Sequence, residues 1–348
     1  MGRNLLRLLF ATPVATLWLL PSLAAAREPK PETLAAFNRY RDQTQARMDA
    51  EVDANGFLYI DRYPQSRRRA IEEQLRRGEF YLEQLRTLDG EEKIPVPSGI
   101  VHHWVGIAFL PNATLVQTKS VLEDFEHQKE NYFPYVRQSK LLSQQGSHRK
   151  VFLQFYSKTI VTAVFNVQFS TDTTDYTPRH TQIRSCSDHV AEVENFGKPG
   201  ERELSPADSH GYMWELCTWW RIEETQGGTY IQVEAIELSR TVPFAFAWLV
   251  NSVVRSVPKA FLSHLLSSTQ KAVAAKAPPI ACAASDSGEA LGDRSYSQPC
   301  SAICSSICRA SKLPFFEAAT SRTRAWSQFF STPSPRRNKS ASVTSAGT

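Results

Sequence analysis

Two segments near the start of the chain carry apolar residues at helical spacing. The first stripe consists of Leu34, Phe37, Met48 and Val52. It stops at a turn signal, Asp53-Ala54-Asn55-Gly56. The second stripe consists of Ile71, Leu75, Leu82 and Leu85, and it predicts a helix from about Pro64 to Thr87. The pattern therefore predicts a mostly helical segment over residues 27–98.

The region 99–276 changes to short β-rich segments, many with alternating apolar and polar positions. The strand-like segments lie at about 100–110, 138–144, 149–157, 160–170, 179–193, 210–224 and 228–240. Residues 112–135 predict one or two short helices after the first strand. A long apolar-periodic helix from about Phe244 to Val273 closes the region, and Pro258 is predicted to kink or divide it.

The first 26 residues have the pattern of a cleavable secretory signal. Arg3 and Arg7 give a positive start, Leu8–Leu20 a short apolar stretch, and Ala24-Ala25-Ala26 a small-residue cleavage site. The alternative is a retained membrane anchor, which the short, Pro-interrupted run disfavours because a spanning helix needs about 20 apolar residues. We expect cleavage near Ala26 and an exported chain, either periplasmic or secreted.

Residues 277–348 are rich in Ala, Ser and Pro without a sustained apolar period, which is typical of a disordered tail. The alternative is that a shifted reading frame produced this segment and that it is not part of the ancestral protein. The segment holds eight Lys or Arg against four Asp or Glu. Subtracting this +4 and the +2 of the signal from the net charge of +5 leaves −1 for the stretch between. The central part therefore lacks the basic footprint of a nucleic-acid-binding protein.

The six cysteines are divided between the central region and the tail. Cys186 and Cys217 lie on strand-like segments that should be hairpin neighbours, and alternation places both on the outer face. An exported chain can form disulfides, so we predict a Cys186–Cys217 bond. The tail cysteines lack the spacing of a zinc site, and we expect neither a metal nor a cofactor.

The end of the central region resembles a known superfamily. Glu234–Arg240 runs through Val242-Pro243 into Ala247–Val250 and then Val253–Lys259. This run is similar to the last strand, Pro-marked turn and C-terminal helix of START-like (SRPBCC, Bet v 1-like) bacterial proteins. The order of elements over 99–276 is that of their helix-grip fold. The resemblance implies an α+β fold in which a strongly curved seven-stranded antiparallel sheet wraps around a long C-terminal helix, preceded here by the helical extension.

A helix-grip sheet leaves a cavity against its helix, and in this family the cavity holds lipids, sterols or other hydrophobic compounds. Strand alternation gives the residues that we expect to line it. They are Phe165, Phe169, Tyr212, Trp214, Leu216, Trp220, Ile231 and Val233, with Trp248 from the closing helix. A packing role in the core is the alternative for each aromatic residue. Glu234 is expected to face outward, and Ile236 and Leu238 break the alternation, which predicts a bulge near Ala235.

Two histidines are the candidates for chemistry. Alternation turns His103 and His189 toward the cavity, where an inward pair could transfer protons. A third metal ligand is not evident, and the sequence contains no nucleophile elbow, phosphate loop or HExxH motif. The alternative is that each histidine is a hydrogen-bonded structural residue or a surface residue.

The sequence favours a non-catalytic protein that binds or transports a hydrophobic, lipid-like small molecule after export, with transient membrane contact. The alternative is a polyketide cyclase-like enzyme that uses His103 or His189. A third interpretation is a structural envelope protein whose helical extension docks partners. The oligomeric state is left open.

Overall fold

The computed structural model describes residues 28–54, 56–158, 162–241 and 247–276, with only the backbone of 247–257. The predicted signal (1–26) and the predicted tail (277–348) lie outside the described residues. In chain order the elements are α1 (Pro31–Asp53), a 3-10 helix (Tyr59–Arg62), α2 (Gln65–Arg76), β1 (Tyr81–Gln84), β2 (Leu88–Asp89), β3 (Glu92–Lys93), β4 (Gly99–Pro111), α3 (Leu115–Leu122), α4 (Gln128–Asn131), β5 (Val136–Gln145), β6 (His148–Lys158), β7 (Thr162–Thr177), β8 (His180–Glu194), β9 (Arg202–Glu203), β10 (Glu215–Thr225), β11 (Gly228–Arg240) and α5 (Ala247–Lys276).

The main sheet is antiparallel, with the strand order β1-β4-β11-β10-β8-β7-β6-β5. The first long strand, β4, pairs with the last, β11, along the whole of both strands. The β10–β11 hairpin turns at Gly228, where a Cβ atom would lie 2.2 Å from the carbonyl oxygen of Leu110. Only glycine fits this approach, which brings β11 against β4. The seven strands and the closing helix of the predicted helix-grip architecture are confirmed.

The inner face of the sheet packs on the C-terminal half of α5. Leu262, Leu266 and Val273 of the helix are buried against Ile231 and Val233 of β11. Gly106 permits the close approach, because a Cβ atom there would lie 3.1 Å from Leu266 Cδ1. The helix continues through Pro258 from Ala247 to Lys276. Among the described residues, no helix is long and apolar enough to cross a membrane.

The outer face of the sheet is covered by the N-terminal extension. Phe37 and Met48 of α1 pack on Ile236 and Leu238, which are fully buried. The 3-10 helix and α2 cover the neighbouring part of β4 and β11. The members of that second cluster are Phe57, Leu58, Tyr59, Ile60, Ile71, Leu75, Val105, Ile107, Phe109 and Tyr230. Helices therefore pack on both faces of the central strands.

Two local predictions were wrong. The helix predicted to reach Thr87 ends at Arg76, because Gly78 follows with φ 88°, and Tyr81–Gln84 then forms an edge strand on β4. No bulge occurs near Ala235, since β11 pairs with β10 and β4 without a register shift. Ile236 and Leu238 are apolar because α1 covers their face, and the alternation of β11 is regular.

The cysteine pair links two neighbouring strands beneath α1. Cys186 of β8 lies opposite Cys217 of β10, and their Sγ atoms are joined at 2.09 Å. Both belong to the outer cluster that packs on α1. The structure therefore holds the disulfide that the sequence predicted, on the face that the sequence predicted.

Arg221 ties the extension to the sheet. Its guanidinium is fully buried and donates to the backbone oxygens of Met48, at 2.8 Å, and Phe57, at 2.5 Å. It also pairs with Glu51 at 3.0 Å and donates to Gln182 of β8 at 3.1 Å. One side chain thus donates hydrogen bonds to a backbone oxygen of α1 and to one in the segment that follows it, and holds both against β10.

Replacement of Arg221 tests this connection. Arg221→Met keeps most of the volume but removes the buried cation that pairs with Glu51 Oε2 and donates to the backbone oxygens of Met48 and Phe57. We expect the free energy of unfolding to fall by about 3–5 kcal/mol, measured by urea denaturation. The control is Arg69→Met on the exposed side of α2. A loss for Arg221→Met no greater than that of the control would contradict the assignment.

Candidate ligand site on the inner face of the sheet

The inner face is not buried evenly along its strands. Ile231 and Val233, beneath the described half of α5, are fully buried. Farther along β11 and its neighbours, Trp104, Leu216 and Ala235 lie on the same face but are only partly buried. Apolar side chains that face a concavity and stay partly exposed border space that a ligand can occupy.

Two titratable groups stand side by side at this end of the inner face. Glu237 of β11 is the register partner of His102 on β4 and of Leu216 on β10. His102 Nε2 lies 2.9 Å from Ser239 Oγ, and burial lowers the pKa of this histidine. Burial raises the pKa of Glu237 to about 7, and no hydrogen-bond partner of its carboxyl group is found among the described residues.

A buried donor also lacks a partner nearby. Trp104 Nε1 is buried and makes no hydrogen bond within the described part of the chain. Trp104 is the register partner of Ala235, two residues before Glu237 on β11. An unpaired buried donor costs free energy unless a ligand or water meets it. The inner face therefore combines an indole donor and a carboxyl group of near-neutral pKa with apolar walls.

The structure places six of the predicted cavity residues on the inner face. Four of them are Leu216, Trp220, Ile231 and Val233. The side chains of Leu216 and Trp220, both on β10, are partly exposed. Phe165 and Phe169 share the face but are closely packed with Val151 and Phe125, so they form core. The side chain of Trp248 lies outside the described residues.

Two predicted cavity residues lie elsewhere. Trp214 belongs to the outer cluster with Phe37 of α1. Tyr212 is 40% exposed and stacks on His210, with ring centroids 5.1 Å apart. The prediction was wrong because β10 begins only at Glu215, so the alternation of the strand does not extend to these positions.

The predicted inward histidine pair is not formed. His103 points to the outer face, where its side chain is 2% exposed, because the neighbouring positions Val101 and Val105 of β4 lie under the N-terminal extension. His189 is 49% exposed beside Glu203, at 3.5 Å. A register shift at the β7–β8 pair leaves Asp188 unmatched, which moves His189 off the inner face.

His103 instead belongs to a buried hydrogen-bonded chain. The backbone N–H of Thr87 donates to Tyr40 Oη at 2.7 Å, and Tyr40 Oη lies 2.9 Å from His103 Nδ1. Burial raises the pKa of Tyr40, so its hydroxyl keeps its proton and donates to Nδ1. Nε2–H then donates to Glu234 Oε1 at 2.7 Å. Both ring nitrogens are used, which makes His103 a structural residue.

Glu234 is the charged end of that chain. Its carboxylate is fully buried on the outer face and also pairs with Arg47 of α1. Burial alone would raise its pKa, but the hydrogen bond from His103 and the charge of Arg47 lower it. Like Arg221, this group ties α1 to the sheet by a buried charge pair.

Sequence reasoning missed His102 and Glu237. Alternation separates the two faces of β4 and β11, but both faces are apolar, so hydrophobicity does not tell which face meets α5. Within the described residues, no group of three or more His, Cys, Asp or Glu is arranged to hold a metal ion.

The titration of Glu237 gives a testable pH dependence. The folded chain holds the proton up to about pH 7, whereas the unfolded chain releases it near the ordinary value of 4.5. Wild-type stability should therefore fall as the pH rises between these two values, while Glu237→Gln lacks this loss. We expect the variant to gain about 1–2 kcal/mol on wild type between pH 4.5 and 7.5, measured by urea unfolding at each pH.

The matched control is Glu91→Gln, at an exposed glutamate between β2 and β3. Its difference from wild type should not change with pH. A Glu237→Gln difference that is equally flat would show that the carboxyl group is not desolvated.

No protein-family model and no curated protein sequence matches the chain. Solved structures are similar to it at low identity. The STAR-related lipid transfer protein of Xanthomonas axonopodis (fragment 25-204) is 13% identical, with a TM-score of 0.37, over 56% of this chain and 98% of that one. Human StAR-related lipid transfer protein 5 is 12% identical, with a TM-score of 0.37, over 60% and 93%.

The Zhui aromatase/cyclase of Streptomyces sp. R1128 is 11% identical, with a TM-score of 0.34, over 50% of this chain and 94% of that one. These likenesses concern the fold and assign no ligand or reaction. The element order and the sheet that holds α5 on its inner face have the arrangement of a helix-grip fold.

Proposed function

We propose that this chain binds or transports a hydrophobic, lipid-like small molecule on the inner face of its sheet. The observation that carries the proposal is the group of partly exposed apolar residues on that face, Trp104, Leu216 and Ala235, around the carboxyl group of Glu237, which has no hydrogen-bond partner among the described residues. A ligand there would gain about 25 cal/mol for each Å² of apolar surface removed from water. Trp104 Nε1 and Glu237 would fix its polar end.

Export forms part of the proposal. The N-terminal sequence has the pattern of a secretory signal, and Cys186 and Cys217 form a disulfide bond. Disulfides of this kind persist in oxidising compartments and are rare in the cytosol. Both features support a chain that acts in the periplasm or outside the cell, where it would carry its ligand between membrane surfaces.

A second function is favoured by one observation. His102 and Glu237 are cross-strand neighbours on the inner face, and burial moves the pKa of the histidine down and that of the glutamate up to about 7. Such a pair can move protons at neutral pH. A polyketide cyclase-like enzyme is therefore the alternative, with these two residues in place of His103 and His189.

Native mass spectrometry of the full-length chain, produced in an exporting host, tests both parts of the proposal. We expect the peptide chain to begin at Arg27 and to carry a hydrophobic adduct that solvent extraction releases. Ala235→Trp should reduce the adduct at least tenfold, because the indole occupies the space that Ala235 borders. The matched control, Ala35→Trp on the exposed side of α1, should keep it.

The outcomes separate the proposals. A wild-type chain with no adduct and no affinity for a panel of lipids, or an Ala235→Trp variant that keeps the full adduct, contradicts ligand binding on the inner face. An adduct on a chain that begins at Met1 contradicts export alone. The enzyme hypothesis is supported if the protein converts an added aromatic polyketide into a product. His102→Gln should then stop the conversion without loss of polyketide binding.

A further inference from the structure

A cavity lies on the outer face, on the side of the sheet opposite the proposed lipid site. It has a volume of about 430 Å³. Its walls come from α1, the 3-10 helix and the chain that follows β1, with His103 of β4 as its floor. The lining residues are Gln43, Ala46, Arg47, Tyr59, Arg62, Leu85, Arg86, Thr87, Leu88 and His103. The N-terminal extension therefore borders a half-open space of the size that a small organic molecule needs.

The charge of this cavity is positive. Arg47, Arg62 and Arg86 line it, and there is no carboxylate among its lining residues. Arg47 is already paired with Glu51 and Glu234. Arg62 lies over the Tyr59 ring, 4.8 Å from its centroid, and Arg86 is exposed. Neither Arg62 nor Arg86 forms an ion pair with a described residue, so two guanidinium groups remain for an anion.

The rest of the lining sets the shape of the ligand. Ala46, Leu85 and the Tyr59 ring give apolar walls beside the guanidinium groups. Both nitrogens of His103 are used by Tyr40 and Glu234, so this residue contributes a ring surface and no free donor. The ligand should therefore combine a compact apolar part with one anionic group that the arginines bind through paired hydrogen bonds.

We propose that the outer cavity binds a small organic anion, a carboxylate or phosphate ester of a compact apolar group, through Arg62 and Arg86. The site is independent of the lipid site, since the sheet separates the two. Its affinity should fall with added salt because both arginines are exposed to solvent. Loss of either arginine should leave the fold intact, since neither forms an ion pair with a carboxylate of the described residues.

Isothermal titration calorimetry of the full-length chain with phenyl phosphate tests the site. We expect saturable binding at one site per chain, weakened at least tenfold in the double variant Arg62→Gln, Arg86→Gln and weakened in 0.5 M salt. Benzyl alcohol, which has the ring without the charge, should bind at least tenfold more weakly than phenyl phosphate. The control Arg69→Gln removes an exposed arginine of α2 outside the cavity and should bind as wild type does.

Three results would overturn the proposal. The first is the absence of saturable binding of phenyl phosphate at millimolar concentration. The second is equal binding by wild type and the double variant, with unchanged unfolding transitions for both. The third is binding to vesicles that contain phosphatidylglycerol with no binding of phenyl phosphate, which would make these arginines a membrane contact.

Discussion

Burial of charge on the outer face of the sheet is the constraint on which the rest of the structure depends. Arg221 and Glu234 are each fully buried there, and α1 supplies the oppositely charged partner of each, Glu51 and Arg47. Breaking a buried charge pair by removing one partner costs about 3–5 kcal/mol. The extension is thus a required part of the fold, since without it the sheet would expose Phe109, Ile236 and Leu238 to water.

The two faces of the sheet therefore have different roles. The outer face is packed with the extension and its polar network, which leaves the arginine-lined cavity at its edge. The inner face packs on described side chains of α5, and Trp104, Leu216 and Ala235 of β4, β10 and β11 are partly exposed on the same face. Burial lowers the pKa of His102 and raises that of Glu237, and neither forms an ion pair within the described residues, which suits them to hold the polar end of a ligand.

Much of the fold could be predicted from the sequence, because strand period, turn residues and the closing helical stripe are local signals. The pairing of Cys186 with Cys217 followed from the same alternation. Which residues of each strand face α5 could not be predicted with equal success. Alternation separates His102 from His103 and Glu234 from Glu237, but it does not say which set meets α5 when a helix covers each side. Glu234 has the sequence pattern of a solvent-facing residue, but it is fully buried and paired with Arg47. Because Arg47 lies far away in the chain, no local pattern indicates this pair.

The central claim is that the inner face holds a ligand whose polar end lies between Trp104 and Glu237. A crystal structure of the full chain with its co-purified molecule tests it most directly. The account predicts density for a hydrophobic molecule along Leu216 and Ala235, with a polar atom within hydrogen-bond distance of Trp104 Nε1 or the Glu237 carboxyl group. An inner face filled by the side chains of α5, with no bound molecule, would contradict it.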